Sequence, residues 1–149
     1  MAPHRDVGLV RLVDRIKAGE VAAPVANLVG FRLTSVEPGK ATFELEAGPQ
    51  HANPMGTLHG GVLCDVADAA MGIAYASTLG DGESFTTLEL KINFLRPFRT
   101  GTLTATARIV KTGRTIGLVE CDVTDAEGRL IARALSTCMT LRGESSEGR

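Results

Sequence analysis

One stretch of the sequence, residues 56–78, limits the possible folds more than any other. It opens with a glycine-rich loop and continues as an apolar, small-residue segment with no Lys or Arg between positions 60 and 78. Apolar or small residues recur there with helical spacing, at Val62, Val66, Ala69, Ala70, Ile73, Ala76 and Ser77. A helix that is apolar on most of its sides must be surrounded by the rest of the chain. The sequence therefore predicts one central helix, ended by the Gly-Asp-Gly at residues 80–82, with a sheet wrapped around it.

Two acids interrupt this apolar helix. Asp65 and Asp68 share one face with Gly72, at spacings of three and four residues. A buried carboxylate is costly unless it is paired, protonated or used. Gly60 and Gly61 stand where the helix begins, and a helix start offers free N–H groups and a partial positive charge to a carbonyl oxygen that gains negative charge. The pattern indicates an active site; glycines in a tight turn and a structural acid are the alternative interpretation.

Distance favours a site shared between two copies of the chain. Asp68 lies eight residues beyond Gly60, which is about 12 Å along a helix axis. A base and an oxyanion site must each lie within about 3 Å of the groups on which they act. One helix cannot easily supply both groups, but two antiparallel helices can. We therefore expect a two-fold dimer in which each helix start faces Asp68 of the other copy.

Composition narrows the class of protein. The 149 residues fit a single domain, and 44% hydrophobic and 22% charged residues are ordinary for a globular protein. A net charge of −1 gives no reason to expect nucleic-acid binding. No apolar run approaches a membrane span of roughly 20 residues, and the first residues do not resemble a signal peptide. Cys64, Cys121 and Cys138 are far apart without metal-ligand spacing, as expected for reduced thiols of a cytoplasmic protein.

The remaining segments predict an α+β domain. A helical extension (1–22) precedes a domain over residues 23–142, and a polar tail without regular structure follows (143–149). The extension carries a predicted helix over 6–18, and 24–28 forms another helical turn. Alternating or β-rich segments predict strands at 31–36, 41–47, 86–95, 102–110, 115–124 and 129–141. Short turns join most of them, so the sheet should be mainly antiparallel. In the segment 86–95, Leu88 and Leu90 alternate with Thr87 and Glu89, which puts Thr87 on the polar face.

A motif surrounds the start of the central helix. It reads NPMGTLHGG over residues 53–61, with Asp68 further along the helix, Thr87 on the next strand and Arg96-Pro97 closing that strand. This arrangement resembles the hotdog fold, and more narrowly the PaaI-like acyl-CoA thioesterases. The resemblance covers residues 27–141. It implies an antiparallel sheet around a long helix, hydrolysis of an acyl-CoA thioester, and no metal or bound cofactor.

The resemblance also implies a role for each matching residue. Asp68 is the general base or the nucleophile, and the Gly60 N–H polarises the thioester carbonyl. Asn53 assists at that carbonyl or holds the loop, and Thr87 orients the attacking water. His59 supports the loop. Members of the family place the base and the polarising N–H on different subunits, in agreement with the distance argument.

Coenzyme A adds phosphates that need basic groups. Candidates at strand ends or turns are Arg96, Arg99, Lys111 and Arg114, each of which could equally be an ordinary solvated charge. Gly113 would let the backbone before Arg114 approach a phosphate. Gly61, beside the polarising glycine, is the remaining candidate for substrate binding. An aromatic content of 4% gives no sign of an aromatic clamp on the acyl group.

Three functions fit this sequence. The first is an acyl-CoA thioesterase that acts as a homodimer or a dimer of dimers. The second is a hotdog protein that binds acyl-CoA without turnover. The third is a hydratase or dehydratase, which would need an acid and a histidine together in the site, although His59 is expected at the loop.

Overall fold

The computed structural model describes residues 14–16, 18–20 and 23–147. Most of the helix predicted over residues 6–18, and the boundary after residue 22, lie outside them. The described elements are α1 (Pro24–Val29), β1 (Phe31–Glu37), β2 (Lys40–Ala47), a 3-10 turn (Pro49–His51), α2 (Gly60–Ala76), β3 (Ser84–Phe94), β4 (Gly101–Thr112), β5 (Ile116–Asp125), β6 (Leu130–Leu141) and a second 3-10 turn (Gly143–Ser146). The last of these lies where the sequence predicts a tail without regular structure.

The six strands form one antiparallel sheet in the order β1-β2-β4-β5-β6-β3. All six predicted strands are present, and their ends differ from the predictions by no more than two residues. The sheet curves around α2, as expected. No helix among the described residues is both long enough and apolar enough to span a membrane.

The face of α2 that packs on the sheet matches the predicted positions only in part, since Val66, Ala70 and Ala76 are buried as expected. The residues of α2 that are buried are Leu63, Val66, Ala67, Ala70, Met71, Ala74, Tyr75 and Ala76. The predicted positions Val62, Ala69 and Ile73 are only partly buried. Because nearly every position of this helix is apolar or small, periodicity identifies the helix but cannot tell which of its apolar faces meets the strands.

The helix ends at Ala76, four residues before the predicted stop at residues 80–82. The Ser77 hydroxyl donates to the Ala74 carbonyl at 2.7 Å and accepts the Gly39 N–H at 2.8 Å. These bonds tie the end of α2 to the β1–β2 turn. The Gly-Asp-Gly segment is instead part of the loop that leads into β3.

β3 is an edge strand and contains a bulge. Thr87 pairs with Cys138 of β6, but Glu89 pairs with Thr137, so Leu88 is the extra residue. The bulge reverses the predicted alternation upstream of Glu89: Thr87 joins the inner face, while the Leu88 side chain is 52% exposed. Phe94, at the end of β3, is 57% exposed. A long open edge of this kind is a ready surface for pairing with another chain.

Candidate active site

A cavity of about 680 Å³ opens beside the middle of α2. Asp68 and Thr87 stand on its wall, and one turn further along the helix Gly72 contributes a wall without a side chain. Asn27 and Arg32 are the other polar residues of the lining, and Arg32 is already held by Glu44 at 2.8 Å. The rest of the wall is apolar, so the cavity suits an apolar group whose reacting end lies beside Asp68.

Apolar residues of two further regions close this cavity. Three of the five phenylalanines of the chain line the cavity, namely Phe31, Phe43 and Phe85. The low aromatic content gave no sign of this arrangement, because composition does not show that the fold brings most of the phenylalanines to one cavity. The segment that precedes β1 adds Ile16 and Ala23, neither of which the sequence identified.

Asp68 has an unusual electrostatic environment. Its side chain reaches the surface of the chain, yet the helix and the cavity wall remove part of its hydration. This partial burial raises the pKa of the Asp68 carboxyl, and the negative charge of Asp65 raises it further. Asp68 has no ion pair among the described residues, and a poorly solvated carboxylate of this kind is a better proton acceptor than an ordinary surface aspartate.

Cys64, one turn before Asp68, does not compete with it as a nucleophile. Burial raises the pKa of the Cys64 thiol, and the charges of Asp65 and Asp68 act in the same direction. The reactive thiolate is therefore disfavoured.

The start of α2 presents a backbone donor, the Gly60 N–H, that has no acceptor among the residues that the structure describes. His59 caps the helix because its Nδ1 accepts the Gly61 N–H at 2.9 Å. The Gly61 N–H is thus occupied, whereas the Gly60 N–H makes no hydrogen bond within the described part of the chain. A Cβ at Gly60 would lie 2.8 Å from Cζ of Phe94. The aromatic ring therefore packs directly on this glycine, a contact that the sequence did not reveal.

The loop before the helix is held by Asn53. Its Oδ1 accepts the N–H groups of Met55 and Thr57 at 2.9 and 3.2 Å, and its Nδ2 donates to the Thr57 hydroxyl at 2.8 Å. Of the two roles considered for Asn53, this arrangement supports holding the loop. A buried histidine that carried no prediction, His51, supports the same loop: its Nδ1 accepts the Gly48 N–H at 3.0 Å, and Nε2 donates to the Val29 carbonyl at 2.6 Å.

The basic candidates divide into two groups at opposite ends of α2. Arg96 and Arg99 belong to the loop beside the helix start, where Arg99 donates to the Gly56 carbonyl at 3.0 Å. Lys111 and Arg114 flank the β4–β5 turn, which lies beside the last turns of the helix. There the Gly113 N–H donates to the Ile116 carbonyl at 2.7 Å, so it is not available to a phosphate.

Asp68 and the helix start lie apart within one chain. The cavity brings Asp68 and Thr87 together, whereas Asn53, His59 and Gly60 are not part of its described wall. The length of α2 between Gly60 and Asp68 accounts for this separation.

Comparisons with known proteins agree on one family. A model described as the thioesterase superfamily matches residues 55–132. The 1,4-dihydroxy-2-naphthoyl-CoA hydrolase of Listeria monocytogenes is 34% identical over 110 residues, covering 74% of this chain and 88% of the relative. Acyl-coenzyme A thioesterase 13 of Homo sapiens is 31% identical over 129 residues, covering 85% and 91%. The structure of the E. coli PaaI protein from the phenylacetic acid degradation operon has a TM-score of 0.80 at 25% identity, covering 90% of this chain and 96% of that one.

Proposed function

We propose that this chain, which belongs to the thioesterase superfamily and is a thioester hydrolase, acts on acyl-CoA and releases a free acid and coenzyme A. The predicted hotdog fold and the resemblance to PaaI-like thioesterases are both confirmed. The observation that carries the proposal is the cavity in which Asp68, with its raised pKa, and Thr87 stand at the edge of an apolar chamber.

The proposed reaction needs three groups from the protein. Thr87 orients a water molecule, Asp68 accepts a proton from it, and the water oxygen bonds to the thioester carbonyl carbon. The Gly60 N–H stabilises the oxyanion of the tetrahedral intermediate. The carbon–sulfur bond then breaks, and the thiolate of coenzyme A takes up the proton held by Asp68. In the alternative route, Asp68 attacks the carbonyl itself and water hydrolyses the resulting anhydride.

The position of β3 supports a site shared between two copies. Near the beginning of this edge strand, Thr87 lines the same cavity as Asp68. At its end, Phe94 lies on Gly60. Two copies that pair antiparallel through β3 would place the Phe94 end of each beside the Thr87 end of the other. Each Gly60 would then approach the cavity of the other copy.

Charge on β3 favours one register for this pairing. A two-fold axis through Leu90 places Glu89 of each copy opposite Lys91 of the other, and both side chains are exposed. Opposite charges on directly facing residues stabilise an antiparallel pair. An axis through Lys91 would instead set two lysines against each other. We therefore place the axis of the dimer at Leu90.

The apolar chamber beyond Asp68 would hold the acyl group. The three phenylalanine rings and the segment before β1 form its walls, so the acyl chain extends away from the helix start of the second copy. The coenzyme A portion of the bound substrate would then extend towards that helix start, where Arg96 and Arg99 of the second copy lie. This arrangement leaves no phosphate-binding role for Gly113.

The test is thiol release from a panel of short, long and aryl acyl-CoAs. Asp68→Ala should lower kcat by at least about 10²-fold, since it removes the general base. Asp65→Ala is the matched control, because Asp65 is an acid of the same helix outside the described cavity wall. Since burial is the larger cause of the raised pKa of Asp68 and the charge of Asp65 the smaller one, this variant should lose far less kcat than Asp68→Ala. Full turnover by Asp68→Ala would overturn the assignment. Binding of acyl-CoA without thiol release would favour a binding protein, and a 3-hydroxyacyl product from an enoyl-CoA would indicate a hydratase.

A further inference from the structure

We propose that Cys138 and Ser136 are positioning residues that orient the Thr87 hydroxyl, and through it the attacking water. This inference rests on the proposed hydrolysis at Asp68. It concerns two buried side chains of β6, neither of which touches the substrate.

The three side chains form a continuous line beneath the cavity. Ser136 and Cys138 are two residues apart on β6, so they share its inner face, and both are 0% exposed. Cys138 is the direct partner of Thr87 across the β3–β6 pair. The Cys138 Sγ lies 3.9 Å from the Ser136 hydroxyl oxygen and 3.8 Å from that of Thr87. Only Thr87 reaches the cavity.

Burial favours one direction for the hydrogen bond between Ser136 and Cys138. Among the described residues, the Cys138 sulfur is the one hydrogen-bond partner of the Ser136 hydroxyl. A buried hydroxyl keeps a hydrogen bond, and it is a stronger donor than a thiol. Ser136 therefore donates to the Cys138 sulfur. In the proposed arrangement the thiol hydrogen, which has no other acceptor among the described residues, is directed at the Thr87 oxygen. The Thr87 O–H is then left to point into the cavity.

The thiol keeps the proton that this arrangement needs. Burial is the largest effect and raises the pKa of the Cys138 thiol. The contacts with Thr87 and Ser136 lower it, and the charges of Asp68 and Glu89 add smaller raising contributions, so the net shift of the pKa is upward. A protonated thiol can both accept from Ser136 and donate to Thr87. With its own oxygen occupied, Thr87 donates to the water, which can donate to Asp68 while a lone pair faces the carbonyl carbon.

A second buried cysteine provides a matched control. Cys121 on β5 is also 0% exposed, and burial, with a contribution from Asp122, raises the pKa of its thiol to about 12. Its sulfur lies 3.8 Å from the Asp122 carbonyl, and it is not part of the described cavity wall. Replacing either cysteine by alanine removes the same buried atom from the core, but only Cys138 contacts Thr87.

The experiment compares kcat, KM and melting temperature for Cys138→Ala, Cys138→Ser, Ser136→Ala and Cys121→Ala, on an acyl-CoA that the wild type hydrolyses. We expect Cys138→Ala to lower kcat about tenfold with little change in KM, because the water loses its orientation. Cys138→Ser should recover most of kcat, since a hydroxyl can also accept and donate. Ser136→Ala should give a smaller loss in kcat. Cys121→Ala should lower the melting temperature comparably and leave kcat unchanged.

Three results would overturn the inference. One is a normal kcat in Cys138→Ala, and another is an equal loss of kcat in Cys121→Ala. The third is a Cys138→Ser enzyme no faster than Cys138→Ala. If Cys138→Ala does not fold, the other two variants decide the question. A nearly normal kcat in Cys138→Ser together with a lowered kcat in Ser136→Ala upholds the inference, whereas a normal kcat in Ser136→Ala overturns it. Full turnover by Asp68→Ala would instead refute the proposed hydrolysis site itself.

Discussion

Gly60 offers a way to separate the effect of one N–H group from the effect of one added carbon. Gly60→Ala and Gly60→Pro both place a Cβ where the Phe94 Cζ lies 2.8 Å away, so both displace the same exposed ring. Only proline removes the N–H. Proline is well tolerated at the first position of a helix, and His59, with φ −63° and ψ 132°, already has the backbone conformation that a following proline prefers.

The expected difference follows from the role of that N–H. Loss of one oxyanion donor typically costs 10²- to 10³-fold in kcat, or about 3–4 kcal/mol. We expect Gly60→Pro to be slower than Gly60→Ala by about this factor at a similar melting temperature. The assay is steady-state thiol release, with thermal melting to compare the stability of the two variants. Equal kcat values in the two variants would refute the assignment of the Gly60 N–H.

Mixing variants tests whether the site is shared. Copies carrying Gly60→Pro and copies carrying Asp68→Ala should each be nearly inactive. After subunit exchange in an equal mixture, half of the dimers are mixed and each contains one complete site, so about one quarter of wild-type activity should return. Absence of any recovery, in a mixture shown by mass to contain mixed dimers, would mean that both groups act within one copy.

Two further predictions concern Asp68 and the dimer contact. Because the pKa of Asp68 is raised above its ordinary value of 3.8, its contribution to stability is present below that value and is lost as the pH rises through the raised pKa. Asp68→Asn should therefore melt above wild type at neutral pH, and the difference should shrink as the pH falls in melting curves; a difference independent of pH would contradict this. Glu89→Lys should weaken the dimer by about 1–2 kcal/mol, roughly tenfold in dissociation constant, and the double exchange with Lys91→Glu should restore it in sedimentation experiments. Failure of that restoration would argue against an axis at Leu90.

The sequence was sufficient to predict the fold because its strongest signals are local. Helical spacing located α2, and alternation with short turns located the six strands. Which face of α2 meets the sheet was not predictable, because Ala69 and Ile73 are as apolar as the residues that replace them in the core. The order of the strands depends on long-range pairing, so the edge position of β3 was also hidden.

The same distinction between local signals and long-range contacts applies to the candidate site. Asp68 and Gly60 are visible in the sequence because an acid and paired glycines are unusual in an apolar helix. Contacts between residues far apart in the chain are not visible in the sequence. Examples are the contact of the Phe94 ring with Gly60 and that of the Cys138 thiol with Thr87. Gly113 was a candidate for phosphate binding because its place in a turn is apparent from the sequence, whereas the hydrogen bond that occupies its N–H is apparent only from the fold.

The polarity of the cavity wall at β3 depends on the bulge at Leu88, because the bulge sets which face of the strand each residue upstream of Glu89 occupies. Regular alternation would place Leu88 opposite Cys138 and turn Thr87 to the other face; the bulge places the hydroxyl there instead. A shift of the β3 register by one residue upstream of Glu89 would put the Leu88 side chain in the cavity wall in place of the Thr87 hydroxyl. Every residue of the site would still be present in the sequence. For this enzyme, an intact set of residues is therefore not enough to guarantee an intact site.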